Sequence, residues 1–193
     1  LDQVFRKYGE LPDSQRGRFT SLLQDDEVGE SWLRVVADED IPADEISIAL
    51  DRTRDVSQEG MVTGFQTGRE LNSEHPDYYQ PVHQPDSIVI DYTVTEESTF
   101  YRVYNENLED SELPGDYTVR SRTEIDRLSP SEISDRLSLP NDPNAAGVVN
   151  VDPTTVEWDV KMRVSTVAEN DWGSGGGSQY VFNSELNEEW FEP

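Results

Sequence analysis

The chain of 193 residues contains no cysteine. That excludes disulfide staples, thiolate metal sites and cysteine nucleophiles, and it leaves the redox compartment unreadable. Positive charge is also scarce: 15 Lys and Arg stand against 41 Asp and Glu, for a formal net charge of −26. A surface this acidic is repelled by a phosphate backbone, and no Lys/Arg-rich run supplies counterion release, so nucleic-acid binding is excluded and anionic membrane surfaces are disfavoured. Apolar runs do not exceed four residues, too short for a transmembrane helix. Leu1 opens on an amphipathic segment rather than a signal peptide, as expected of numbering that starts inside a longer precursor.

What is present is four Trp, eight Tyr and six Phe, enough large side chains for a core despite only 34% hydrophobic residues. Lysine is nearly missing, with Lys7 and Lys161 alone against thirteen Arg, and the acids are spread along the whole chain. Uniform acidity with little Lys reads as the surface of a salt-in halophile, where molar salt shortens the Debye length to roughly 3 Å. An acidic mimic of nucleic acid would concentrate the charge on one face instead.

Residues 1–56 read as a module of short helices. Phe19, Leu22 and Leu23, then Val28, Trp32, Val35 and Val36, follow helical spacing, with stops at Gly9, Pro12, Asp25, Asp26 and Pro42. Residues 57–87 lose periodicity among Gly60, Gly64, Gly68, Pro76, Pro81 and Pro85, and read as a linker or long ordered loop. His75 and His83 lie there without a third ligand at useful spacing, so they read as surface histidines and no metal site is expected. From residue 88 the period becomes two. Strands are expected at Ile88–Val94, Phe100–Tyr104, Asp116–Val119, Ala146–Val151, Thr155–Val164 and Gln179–Phe182, with one helix opened by Ser129-Pro130-Ser131-Glu132 and stopped by Pro140. The fold class expected is therefore α+β.

Three features carry chemistry. Gly173–Gly177 is a glycine loop running into Gln179-Tyr180-Val181-Phe182, either a backbone surface that closes over a ligand or a plain hairpin loop. Arg102 stands mid-strand between Phe100 and Tyr104, suited to a phosphate or to a carboxylate at a sheet edge. Leu113-Pro114-Gly115-Asp116-Tyr117-Thr118-Val119-Arg120 is a turn entering a strand.

Their order, Tyr-Arg-Val-Tyr, then Pro-Gly-x-Tyr-Thr-x-Arg, then a helix, a strand and Gly-Gly-Gly-x-Gln-Tyr-Val, resembles the NAD-consuming domains of polymorphic toxins. These are the ADP-ribosyltransferase-like toxins and the tuberculosis necrotizing toxin family of NAD glycohydrolases. The resemblance covers roughly residues 98–193 and implies a mostly antiparallel β, ADP-ribosyltransferase-like domain over 88–193, preceded by the helical module. It implies NAD as substrate, with Gln179 and Arg102 catalytic. Tyr117, Thr118, Arg120, Gly176, Gly177 and Tyr180 would join Arg102 in binding NAD. It also implies a cognate immunity protein as partner, and export within a larger protein to a target-cell cytoplasm, and the helical module resembles spacer segments of long haloarchaeal proteins. Residue 181 is Val where the transferases carry a second acid, which favours glycohydrolysis over ADP-ribosyl transfer to a macromolecule. The necrotizing toxins use a core histidine and residues 84–193 have none, so either Arg120 or Tyr180 fills that role or the transferases are the closer kin. From the residues alone, a non-enzymatic acidic binding module is the alternative.

Overall fold

A computed structural model describes residues 2–74, 82–107 and 117–193. Four helices come first, α1 (Asp2–Glu10), α2 (Asp13–Leu23), α3 (Gly29–Ala37) and α4 (Ala43–Val56), close to the expected boundaries. Asp25 Oδ1 accepts from the backbone N–H groups of Glu27 and Val28, which turns the chain into α3. Pro42 occupies the N-cap of α4, just ahead of its first turn. Buried Trp32, Val35 and Val36 on α3 and Ile46, Ala49 and Leu50 on α4 form the apolar stripes. Lys7 is buried on α1 and donates to the carbonyls of Val36 and Asp38, closing the C-terminal end of α3.

Residues 57–87 differ from the linker reading, because they contain β1 (Gly60–Thr67) and α5 (Gly68–Glu74). The signal was hidden by composition. β1 is an edge strand with a register shift between Val62 and Gly64, and only Phe65 and Thr67 on it are buried, so no period-two run is visible. Gly60 is required by close approach: a Cβ there would meet the Thr93 carbonyl oxygen at 2.3 Å.

Five antiparallel strands form the larger sheet in the order β1-β2-β6-β7-β4, with β2 Ile88–Val94, β6 Lys161–Thr166, β7 Ser178–Phe182 and β4 Tyr117–Thr118. A second antiparallel sheet is β3-β5-β8, with β3 Ser98–Tyr104, β5 Ala145–Val151 and β8 Phe191–Glu192. The sheets meet at Tyr101 and Val119, which exchange two backbone hydrogen bonds of 2.8 Å. Helix α6 (Pro130–Leu137) starts with a complete capping box between Ser129 and Glu132, with Pro130 in its first turn, as expected. The strand expected over Thr155–Val164 begins only at Lys161. Before it, Asp152 accepts from the Thr154 backbone N–H and its hydroxyl, and residues 153–155 form one 3-10 turn.

The helices and both sheets share one core. Tyr8, Phe19, Trp32 and Phe65 make successive ring contacts at 5.4, 5.6 and 4.9 Å between centroids, leading from α1 into β1. On the other side Phe100 of β3 meets Tyr180 and Phe182 of β7 at 5.7 and 6.0 Å. Buried side chains from Val4 to Trp190 belong to the same cluster, so α1–α4 are built into the α+β structure rather than tethered to it. A smaller cluster of Val119, Ile125 and Ile133 lies under α6.

Candidate functional site

Gln179 is the second residue of β7, immediately after the glycine loop and Ser178. Its side chain enters a buried polar cluster. Nε2 donates to the Val82 carbonyl and to Ser165 Oγ, each at 3.0 Å, and lies 3.3 Å from His83 Nδ1. Ser165 Oγ and His83 Nδ1 are 2.7 Å apart. With both amide hydrogens of Gln179 committed, the Ser165 hydroxyl and His83 Nδ1 share one hydrogen bond, whose direction is set by the imidazole tautomer. Gln179, His83 and Ser165 are 4, 5 and 0% exposed. The amide oxygen of Gln179 accepts no hydrogen bond from a described residue.

His83 is thus a core histidine, not the surface histidine that its Pro-rich surroundings suggested. It pairs with Val167 as an isolated β-bridge beyond the end of β6, and Asn72 of α5 fixes its backbone on both sides, accepting from its N–H at 3.1 Å and donating to its carbonyl at 2.6 Å. His75 lies outside the described residues. Neither His83 nor Ser165 carried a sequence signal, since the one sits in an aperiodic stretch and the other is a single polar position within an apolar strand.

The expected site residues are not all gathered around Gln179. Tyr180, next to Gln179 in β7, points to the opposite face of the sheet. That face carries Phe100, and Arg102 shares the Phe100 side of β3. Arg102 is buried there and stacks over the Phe191 ring at 5.7 Å, so Arg102 and Gln179 lie on opposite faces. Thr118 is buried and donates to the Tyr180 carbonyl at 2.9 Å, so its hydroxyl is spent within the sheet. Arg120 ion-pairs with buried Glu59, donates to the Thr99 carbonyl and stacks over Phe100 at 4.9 Å, a structural assignment in place of the expected phosphate contact. Burial raises the Glu59 carboxyl above its ordinary range and Arg120 opposes that rise. The Tyr180 phenol is pushed up to about 12 by burial against the opposing pull of Arg52, so it is a neutral hydrogen-bonding group and no general base at ordinary pH. Tyr117 pairs with Val181 in the sheet.

The glycine loop is anchored by its own amides. Gly175 and Gly177 donate to the Asp135 and Arg136 carbonyls at 3.0 and 3.1 Å, and Gly176 donates to the Val167 carbonyl at 2.9 Å. Ser174 binds the Asp135 carboxylate through both its N–H and its hydroxyl, which lowers the Asp135 carboxyl below its ordinary value. These bonds satisfy carbonyls at the C-terminal end of α6. They leave the amides of Gly176 and Gly177 unable to cradle a phosphate, a correction to their expected part in binding NAD. Beside the loop runs an open groove of about 520 Å³, lined by Leu128, Ser131, Asp135, Arg136 and Gly176 among others.

Among the described residues no group of three or more His, Asp or Glu is placed to hold a metal ion, and no helix is long and apolar enough to cross a membrane. No known protein family, curated protein or solved structure matches the chain.

Proposed function

We propose that the chain cleaves NAD at the nicotinamide–ribose bond, with water as acceptor and Gln179 as the group that orients the ribose. The observation that carries this reading is the contact of Gln179 with His83. The resemblance to necrotizing toxins calls for a core histidine, and His83 supplies one from outside the segment over which the likeness runs. A neutral Gln whose amide oxygen accepts from no described residue can accept from a ribose hydroxyl while positive charge develops on the anomeric carbon, and positioning then supplies most of the rate. The strand order also supports it. β3, β4 and β7 succeed one another through the Tyr101–Val119 and Thr118–Tyr180 pairs, which keeps the three motif segments adjacent. On this reading Arg102 supports the sheet rather than touching substrate, Tyr180 shapes the strand, and the bases of NAD approach along the groove beside Gly176. The chain would act as an effector within a larger exported protein, checked in its producer by an immunity protein.

A second reading, a non-enzymatic acidic binding module, is favoured by one observation, the separation of Arg102 and Gln179 by the sheet. ADP-ribosyl transfer remains the enzymatic alternative, and only it leaves ADP-ribose on a macromolecule.

The test is turnover of NAD by the purified chain in molar KCl, following nicotinamide and ADP-ribose. Equal release of both, reduced at least about 100-fold by Gln179→Ala and by His83→Ala, is expected of a glycohydrolase whose two polar groups act in the reaction. A folded wild-type chain that releases neither product overturns the proposal.

A further inference from the structure

Arg52 belongs to α4, in the segment that the sequence marks as accessory, yet its partners are 114 and 126 residues away. Its Nη2 donates to Thr166 Oγ1 and to Ser178 Oγ, both at 3.0 Å. Those two hydroxyls are a cross-strand pair of β6 and β7, and the adjoining pair of the ladder is Ser165 with Gln179. By alternation the guanidinium grips one face of the two strands while the Gln179 cluster occupies the other. Ser178 is also the first residue after the glycine run, so the grip falls where the loop becomes strand.

Arg52 is itself held. Its side chain is 11% exposed, Glu45 Oε1 lies 3.8 Å from Nη1, and Glu45 is fixed to the sheet by the Ile88 N–H at 2.9 Å. Nη1 makes no hydrogen bond among the described residues. A buried guanidinium with an unused donor is a poor way to gain stability, because desolvation outweighs a loose ion pair. Its geometric yield is different: the two hydrogens of Nη2, held in the guanidinium plane, fix two hydroxyls at once, which a freely rotating ammonium does less well.

We infer that Arg52 is a positioning residue through which the N-terminal helices set the geometry of the β6–β7 end and, behind it, of Gln179. The catalytic part of this inference rests on the proposed NAD cleavage; the mechanical part does not. Arg52 touches neither Gln179 nor the groove, and acts through Thr166 and Ser178.

The experiment measures amide hydrogen exchange and NAD kinetics for wild type, Arg52→Met, Arg52→Lys and the double variant Thr166→Val/Ser178→Ala. The reporter amides are Val167, bonded to the Gly177 carbonyl at 2.8 Å, and Gly177, bonded to the Arg136 carbonyl at 3.1 Å; Tyr101 and Val119, at the junction of the sheets, are the controls. Arg52→Met and the double variant are expected to speed exchange of the reporters at least tenfold with the controls unchanged, and Arg52→Lys to recover part of the difference. Where wild type cleaves NAD, kcat falls at least tenfold in Arg52→Met while KM stays within twofold. Exchange that rises equally at reporters and controls, or at neither, overturns the inference, as does an unchanged kcat in an active enzyme. A wild type inactive on NAD defeats the proposed function, and the exchange result then stands as the test of the grip. The double variant keeps Arg52 and removes only its acceptors, so it answers the question if Arg52→Met fails to fold.

Discussion

Glu45 is the carboxyl on which the surroundings act most visibly. Burial pushes it up to about 7 from an ordinary 4.5; the Ile88 N–H and the charge of Arg52 resist that rise, and the nearby Asp86 and Asp44 add to it. The folded state therefore holds this proton more tightly than the unfolded chain. Its contribution to stability is complete below about pH 4.5 and is lost as the pH rises through about 7, a change of about 3 kcal/mol at 1.36 kcal/mol per unit. Glu45→Gln keeps an oxygen for the Ile88 N–H and removes the titration. Denaturant unfolding at pH 5 and pH 8 is expected to show a stability difference smaller by about 3 kcal/mol in the variant than in wild type. Equal differences in the two proteins would contradict the role given to this carboxyl. Arg52 and Glu45 were invisible as a pair in the sequence, because a charged residue on a helical stripe looks the same whether it faces water or a sheet formed more than a hundred residues later.

At the scale of elements, the glycine loop is the clearest case of composition dictated by backbone geometry. Gly175 has φ +66 and Gly176 φ +83, in the left-handed region that other L residues avoid. The two differ in their surroundings. A Cβ on Gly175 would lie 2.6 Å from the Ala168 carbonyl, whereas one on Gly176 would meet nothing within 4 Å. Gly176→Ala is expected to cost about 1 kcal/mol from conformation alone. Gly175→Ala is expected to cost at least about 2 kcal/mol more, because backbone must move. Thermal melts of the two variants check the order, and equal losses would mean that the loop is not anchored on residues 167–168.

Helices α1–α4, the capping box of α6 and most of the expected strands were legible because each declares itself within ten residues, by a stripe, a cap or an alternation. β1 was not, since an irregular edge strand with two glycines and a bulge has no local signature. Of the candidate site, Gln179 could be singled out from the loop before it. The sign of the face it occupies depends on register, and His83 reaches it only through the packing of a segment that has no pattern of its own.

At the scale of the whole molecule, charge dominates. With a net charge of −26, raising KCl from about 0.1 M to about 2 M shortens the screening length from about 10 Å to below 3 Å and removes most of the self-repulsion. The melting temperature is expected to rise by on the order of 10 °C over that range. A scan in KCl measures this directly, and a flat response would mean that the acids are already balanced by their local partners, such as Arg34 with Glu70 and Arg163 with Asp91.

The core shared by the helices and the sheets has a consequence for synthesis. A ribosome delivers α4 first and Ser178 only 126 residues later, roughly 10 s at ordinary elongation rates. The strands on which α3 and α4 pack, β1 and β2, follow within about 40 residues, but β2 has no β6 beside it until residues 161–166 are made. The nascent chain must survive with the β6 side of β2 open to water. Its dense negative charge, a burden to the finished fold, keeps neighbouring nascent copies apart until the last strands arrive.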